Sequence, residues 1–121
     1  MGSGPMRRGD VVWVDLGPPV GREASRRRPV VLVSHDALNR VAAGLGRGVV
    51  TVVPITTNVE RVYPFQVFLA ADETGLPADG KAQAEQVRAV DVERLRSVPI
   101  GALPAERLRQ LDEALRLHLA L

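Results

Sequence analysis

Short apolar runs punctuated by glycine and proline constrain this chain more than any other feature. Val11-Val12-Trp13-Val14-Asp15-Leu16, Pro29 to Ser34, Val49 to Ile55 and Phe65 to Leu69 are four such runs, all of strand length. The third is almost wholly β-branched, which suits a pleated surface. Lys81 to Val87 interleaves Ala82, Ala84 and Val87 with polar residues and reads as a fifth strand. Leu95 to Ile100 reads as a last short strand, ended by Gly101. Between the runs lie turn signals: Gly17 to Arg22, the glycines 44, 46 and 48, and Asp72 to Gly80. Pro54 has no N–H for a ladder bond, so it predicts an edge or a strand end. His35 to Arg40 and Asp91 to Arg94 read as brief helical turns. Trp13 is expected as a core or interface anchor.

The end of the chain has a different period. Pro104 suits the first turn of a helix, Glu106 its positive end, and Arg116 and His118 its negative end. Leu108, Leu111, Leu115 and either His118 or Leu119 recur at helical spacing and predict one face packed on the sheet. Five or six strands and one terminal helix predict a mainly β domain with a C-terminal α-helix, built as a small, strongly curved antiparallel sheet.

Composition narrows the chemistry. The 121 residues suit one domain. Met1 to Pro5 reads as the remnant of an expression vector, which leaves 6–121 as that domain. There is no cysteine, so disulfides, thiolate metal sites and thiol nucleophiles are excluded. His35 and His118 are far apart, which argues against a zinc site or a histidine triad; they read as a helix-start residue and a helix-end cation. No apolar run nears the roughly 20 residues of a membrane span, and a cytoplasmic protein is expected. Residues 1–61 carry nine arginines against five acids, and residues 62–121 carry six arginines and Lys81 against nine acids. The basic surface is therefore concentrated near the start of the chain. Arginine makes up fifteen of the sixteen basic residues, which suits phosphate binding and equally suits a GC-rich genome.

That basic character peaks in Glu23-Ala24-Ser25-Arg26-Arg27-Arg28, directly ahead of the run Pro29 to Ser34. One acid and three guanidiniums then stand at the mouth of a strand, well placed to meet an anion. The loop from Gly17 to Arg27 is the widest break in this half of the chain, and long loops in compact domains are usually functional.

Several motifs occur in order. They are Arg8-Gly9-Asp10-Val11-Val12-Trp13-Val14-Asp15-Leu16, Gly21-Arg22-Glu23, Arg28-Pro29-Val30-Val31, Val53-Pro54-Ile55-Thr56-Thr57-Asn58, Ala84-Glu85-Gln86-Val87-Arg88 and Leu111-Asp112-Glu113-Ala114-Leu115. Together they resemble the MazF/PemK/Kid family of toxins from type II toxin–antitoxin systems, from Arg8 to the end of the chain. The resemblance implies an SH3-like, CcdB/MazF/Kid-type small β-barrel and a homodimer. It implies a metal-independent, cofactor-free endoribonuclease that cuts single-stranded RNA at short sequences and so arrests translation and growth. mRNA is the expected target, with tRNA and rRNA as alternatives. A partner is implied too: a MazE-like antitoxin whose C-terminal tail blocks the RNA groove.

RNA supplies its own nucleophile. Attack of the 2′-OH on the adjacent phosphorus gives a 2′,3′-cyclic phosphate and a 5′-OH, and needs a base, charge stabilisation and a proton for the leaving oxygen. By the resemblance, Arg28 stabilises the phosphorane and helps protonate the leaving group. A guanidinium is a weak acid, so the electrostatic role is favoured. Thr56 donates to the scissile phosphate, and Glu23 is the candidate base. Each has a plainer reading: Arg28 as a strand-end arginine paired with Glu23 or Asp10, Thr56 as a turn cap, Glu23 as a solvated acid. Arg26 and Arg27 read as phosphate-positioning or surface residues. Gln86 and Arg88 read as RNA contacts or as structural residues at the barrel or dimer interface. Thr57, Asn58 and Lys81 are further RNA-contact candidates. With four aromatics in the chain, discrimination of bases is expected to rest on backbone groups and Asn, Gln or Arg side chains. Two alternatives share the barrel: a non-enzymatic, CcdB-like toxin that binds DNA gyrase, and an inactive RNA-binding barrel. A pure binder has no need of the Glu23, Arg28 and Thr56 set.

Overall fold

The structure, a computed structural model, describes residues 6–17, 21, 27–95 and 98–121. Its elements are β1 (Asp10–Asp15), β2 (Arg27–Leu32), α1 (Asp36–Leu45), β3 (Val49–Thr56), β4 (Gln66–Leu69), α2 (Ala71–Thr74), β5 (Gly80–Gln83), β6 (Arg88–Asp91), β7 (Gly101–Ala102) and α3 (Ala105–Leu119). Short 3₁₀ turns at Ala84–Gln86 and Val92–Arg94 flank β6. The sheet is antiparallel, in the order β4-β5-β3-β2-β1-β7, with β6 also bonded to β3.

The Val-rich runs are apolar at successive positions because both faces of the sheet are covered. One face carries Val12, Val14, Val30, Leu32, Val50, Val52 and Val90, which close on one another as an inner core. After β6 the chain returns to β1, and Leu95 bridges Val14, so β1, β2, β3 and β6 curl towards closure around that core. The other face carries Val11, Val31, Val53, Ile55, Val67, Leu69 and Ala82, and α3 covers it with Leu111, Ala114 and Leu115. Leu111 is fully buried, which contributes roughly 2 kcal/mol. A mainly β, curled antiparallel sheet with a C-terminal helix is therefore observed, as expected.

Several local expectations differ. β2 begins at Arg27, so Arg27 and Arg28 belong to the strand instead of preceding it. The turn expected at His35 to Arg40 is a ten-residue helix. The His35 side chain caps it by accepting from the Ala37 N–H at 3.0 Å, and Gly46 ends it in the left-handed conformation. Pro54 lies inside a strand bonded along both edges, not on an edge. It is tolerated because β3 changes partner there, leaving β6 after Val52 and meeting β5 from Ile55. β6 was not expected. β5 stops at Gln83, where the 3₁₀ turn takes over. Leu95 makes a single bridge, and Gly101 starts β7 instead of ending a strand. Gly101 packs too close for any side chain, since an added Cβ would overlap the Thr74 carbonyl oxygen. On α3 the stripe is completed by Ala114; His118 and Leu119 are exposed. Trp13 is half-buried against the outer core. Among the described residues, no helix is long and apolar enough to cross a membrane.

Candidate active site

Strand register sets the site. β1 and β2 pair Val14 with Arg28 and Asp15 with Arg27. β2 and β3 pair Val30 with Pro54. Paired residues share a face, so Arg28 lies on the inner-core side with Val12, Val14 and Val30. Thr56 lies on that same side, in step with Val50, Val52 and Pro54. Continued two residues beyond the Val30–Pro54 pair, the register brings Arg28 level with Thr56. The Arg28 guanidinium has in fact reached this end of β3, where Nη1 donates to the Ile55 carbonyl at 3.3 Å. Both residues thus stand at the mouth of the curled sheet.

A cleft of about 210 Å³ opens at this end. Arg27, Arg28 and Thr57 line it, together with Trp13, Pro29, Ile55 and the turn from Leu76 to Gly80. Gly80 makes that turn fit. A Cβ there would meet the Thr56 carbonyl oxygen at 2.8 Å and Ile55 Cγ2 at 2.9 Å, so any larger residue would push β5 away from Thr56. Thr56 Oγ1 accepts from the Asn58 N–H at 3.3 Å, which is the turn-capping contact. A hydroxyl that accepts in this way still has its own hydrogen to donate. Turn capping and substrate binding are therefore compatible in one side chain.

The other expected site residues are dispersed. Thr57 and Asn58 are exposed, and the Asn58 Oδ1 accepts from the Glu60 N–H. Lys81 pairs with Thr56 across β3 and β5, yet it is buried, and its ammonium donates to the Arg61 carbonyl at 2.5 Å. It tethers the loop after β3 and does not stand out in solvent. Arg88 begins β6 opposite Val52, four residues along β3 from Thr56, or about 13 Å. Gln86 is half-buried in the 3₁₀ turn before it. Arg88 stands apart from the Arg28–Thr56 pair within one chain. Glu23 and Arg26 lie outside the described residues. Pairing of Arg28 with Asp10 is ruled out by position. Asp10 is four residues away along β1 from Arg28's partner Val14, and its carboxylate accepts from the Arg7 N–H.

The sequence reading missed Trp13 and the turn from Leu76 to Gly80 as cleft walls. The glycine immediately before Lys81, beside a strand end, was the available signal for a close backbone approach.

This architecture has known counterparts. A family model described as PemK-like, MazF-like toxin of type II toxin–antitoxin system matches residues 7–119. The chain belongs to this family. It is 58% identical over 116 residues to Endoribonuclease MazF9 of Mycobacterium tuberculosis, covering 96% of this chain and 98% of that protein. The crystal structure of MazF (Form-I) from Deinococcus radiodurans superposes with a TM-score of 0.79 at 27% identity, covering 98% of this chain and 100% of that one. An endoribonuclease in complex with its cognate antitoxin from a mycobacterial species gives a TM-score of 0.74 at 25% identity, covering 96% of each chain. The curled sheet with its terminal helix is thus the CcdB/MazF-type fold.

Proposed function

We propose that this toxin endoribonuclease cleaves single-stranded RNA at the mouth formed by Arg28 and Thr56, by attack of the substrate's own 2′-OH. The observation that supports the reading is the β2–β3 register, which continued past Val30–Pro54 puts Arg28 level with Thr56, at the end where Arg28 lines a cleft. The new bond joins O2′ to phosphorus, and the P–O5′ bond breaks. Glu23 takes the 2′ proton. Arg28 holds the phosphorane's charge, and Thr56 donates to a non-bridging oxygen. The departing 5′ oxygen takes its proton from water in the open cleft. No step calls for a metal or a cofactor.

Arg26 and Arg27 hold flanking phosphates, with Thr57 and Asn58 at the exit of β3. Lys81 acts from beneath, through the loop it tethers. Gln86 and Arg88 contribute from beside the middle of β3 in a homodimer. The inhibitor is a MazE-like antitoxin whose acidic C-terminal tail lies in the RNA groove. The solved complex of a related endoribonuclease with its antitoxin and the basic first half of this chain both favour that partner. The compartment is the cytoplasm, where mRNA, tRNA and rRNA are all within reach.

Incubation with a long natural RNA in EDTA, followed by mapping of 5′ ends, tests the reading. Cuts bearing 5′-OH ends are expected with EDTA present. Thr56→Val is expected to slow cutting about tenfold, the scale of one hydrogen bond to a charged group, while Thr56→Ser keeps it. Uncut RNA, or ends carrying 5′-phosphate, would overturn the chemistry.

A further inference from the structure

We propose that Tyr63, backed by Phe65 and flanked by Arg61, is a stacking platform for an RNA base near the scissile phosphate. The proposal rests on the RNA-cleaving reading above and assigns a specificity role to a loop that reading leaves unused.

Two of the chain's four aromatics meet in the connection between β3 and β4. The Tyr63 and Phe65 rings stack with centroids 5.4 Å apart and planes 2° from parallel. Tyr63 is 41% exposed, so it is presented outward and not folded into either core. The Arg61 Cζ lies 5.4 Å from the Tyr63 ring centroid, and its Nη1 donates to the Tyr63 hydroxyl at 3.4 Å. A guanidinium, a phenol and a phenyl ring thus cluster around the exposed Tyr63. A nucleobase suits such a cluster because every base has a π-face and arginine planes stack on bases.

The loop is held as a preformed site would be. The buried Lys81 ammonium sits 5.8 Å from the Tyr63 ring centroid and donates to the Arg61 carbonyl. The Tyr63 N–H donates to Gln66 Oε1 at 3.1 Å, and the Tyr63 carbonyl accepts from the Gln66 N–H at 2.9 Å. Gln66 Nε2 then donates to Glu85 Oε2 at 2.8 Å. Glu85 therefore acts through Gln66 as a positioning residue, which gives a role to the acid in Glu85-Gln86-Val87-Arg88.

Location makes RNA the occupant. Lys81 pairs directly with Thr56, so the residue under the platform is the cross-strand neighbour of the proposed phosphate-binding hydroxyl. A short single-stranded stretch running from that phosphate reaches the platform. The base stacks on Tyr63 in place of the exposed Arg61 guanidinium, which swings to a phosphate or a base edge.

The test uses RNA oligonucleotides spanning a mapped cut, with an abasic nucleotide at each flanking position in turn. With the wild-type chain, one position is expected to raise KM about fivefold or more when its base is removed. Tyr63→Ala is expected to raise KM for intact RNA by a similar factor with kcat held, and to abolish the penalty at that position alone. Tyr63→Phe, which keeps the ring, recovers most of the loss. Additive penalties from Tyr63→Ala and every abasic position would overturn the platform and leave the exposed stack to a protein partner. No cutting of any RNA by the wild-type chain would overturn the cleavage reading and the platform together.

Discussion

The two ends of β2 each have a half-buried arginine, and the two stand in different settings. At the end near α3, Arg8 is held by three bonds. Its Nε donates to the Val33 carbonyl at 2.7 Å, its Nη2 meets Asp112 at 2.6 Å, and its backbone N–H donates to Asp36 at 2.6 Å. One residue thereby joins the strand end to α1 and α3. At the other end, Arg28 reaches the Ile55 carbonyl at 3.3 Å and lines a cleft. Equal residue type and similar burial do not decide a role. What differs is the setting: Arg8 is enclosed between α1 and α3, whereas Arg28 borders a cleft.

Substitutions sharpen this contrast. Arg28→Ala is expected to lower kcat/KM for RNA by about 10²–10³, the scale of losing one transition-state donor, beyond any loss that follows from stability. Initial rates of RNA cleavage together with a thermal melt check both halves. Arg8→Ala reverses the pattern. It strips a partner from Asp112 and from the Val33 carbonyl, so about 2 kcal/mol of stability is expected to go. That corresponds to a fall in Tm of roughly 8 °C by calorimetry, with cleavage below the transition within about threefold of wild type. The contrast breaks if Arg8→Ala loses cleavage without losing stability. The smallest effect is expected at Arg27, exposed and opposite Asp15 on β1. Arg27→Ala should reduce the slope of log K against log salt for single-stranded RNA by about 0.7, the contribution of one phosphate contact. An unchanged slope would make Arg27 a surface residue.

The sequence was most informative where local pattern and tertiary use coincide. Val-rich runs marked strands because both sheet faces are covered, and the leucine period marked α3 because one face of that helix is buried. Arg28 was legible through its place ahead of Pro29-Val30-Val31. β6 was not legible, because Arg88-Ala89-Val90-Asp91 buries only Val90 and shows no period. α1 was read too short because Gly44 lies within it and suggested a break. Pro54 misled in a different way. A missing N–H tells which bond cannot form, but not that neighbouring strands hand over at that point. The burial of Lys81 and its bond to the Arg61 carbonyl were not legible either. Pairing across distant strands decided each of these, and no window along the chain contains it.

The change of partner along β3 has a consequence for how this molecule can fail. One strand is a wall of the inner core over Val49 to Val52 and carries the outer sheet from Ile55 to Thr56. Both parts share that strand, so loosening one is expected to loosen the other. A core substitution at Val50 or Val52, far from any RNA, is therefore expected to be felt at the mouth by Thr56 as well.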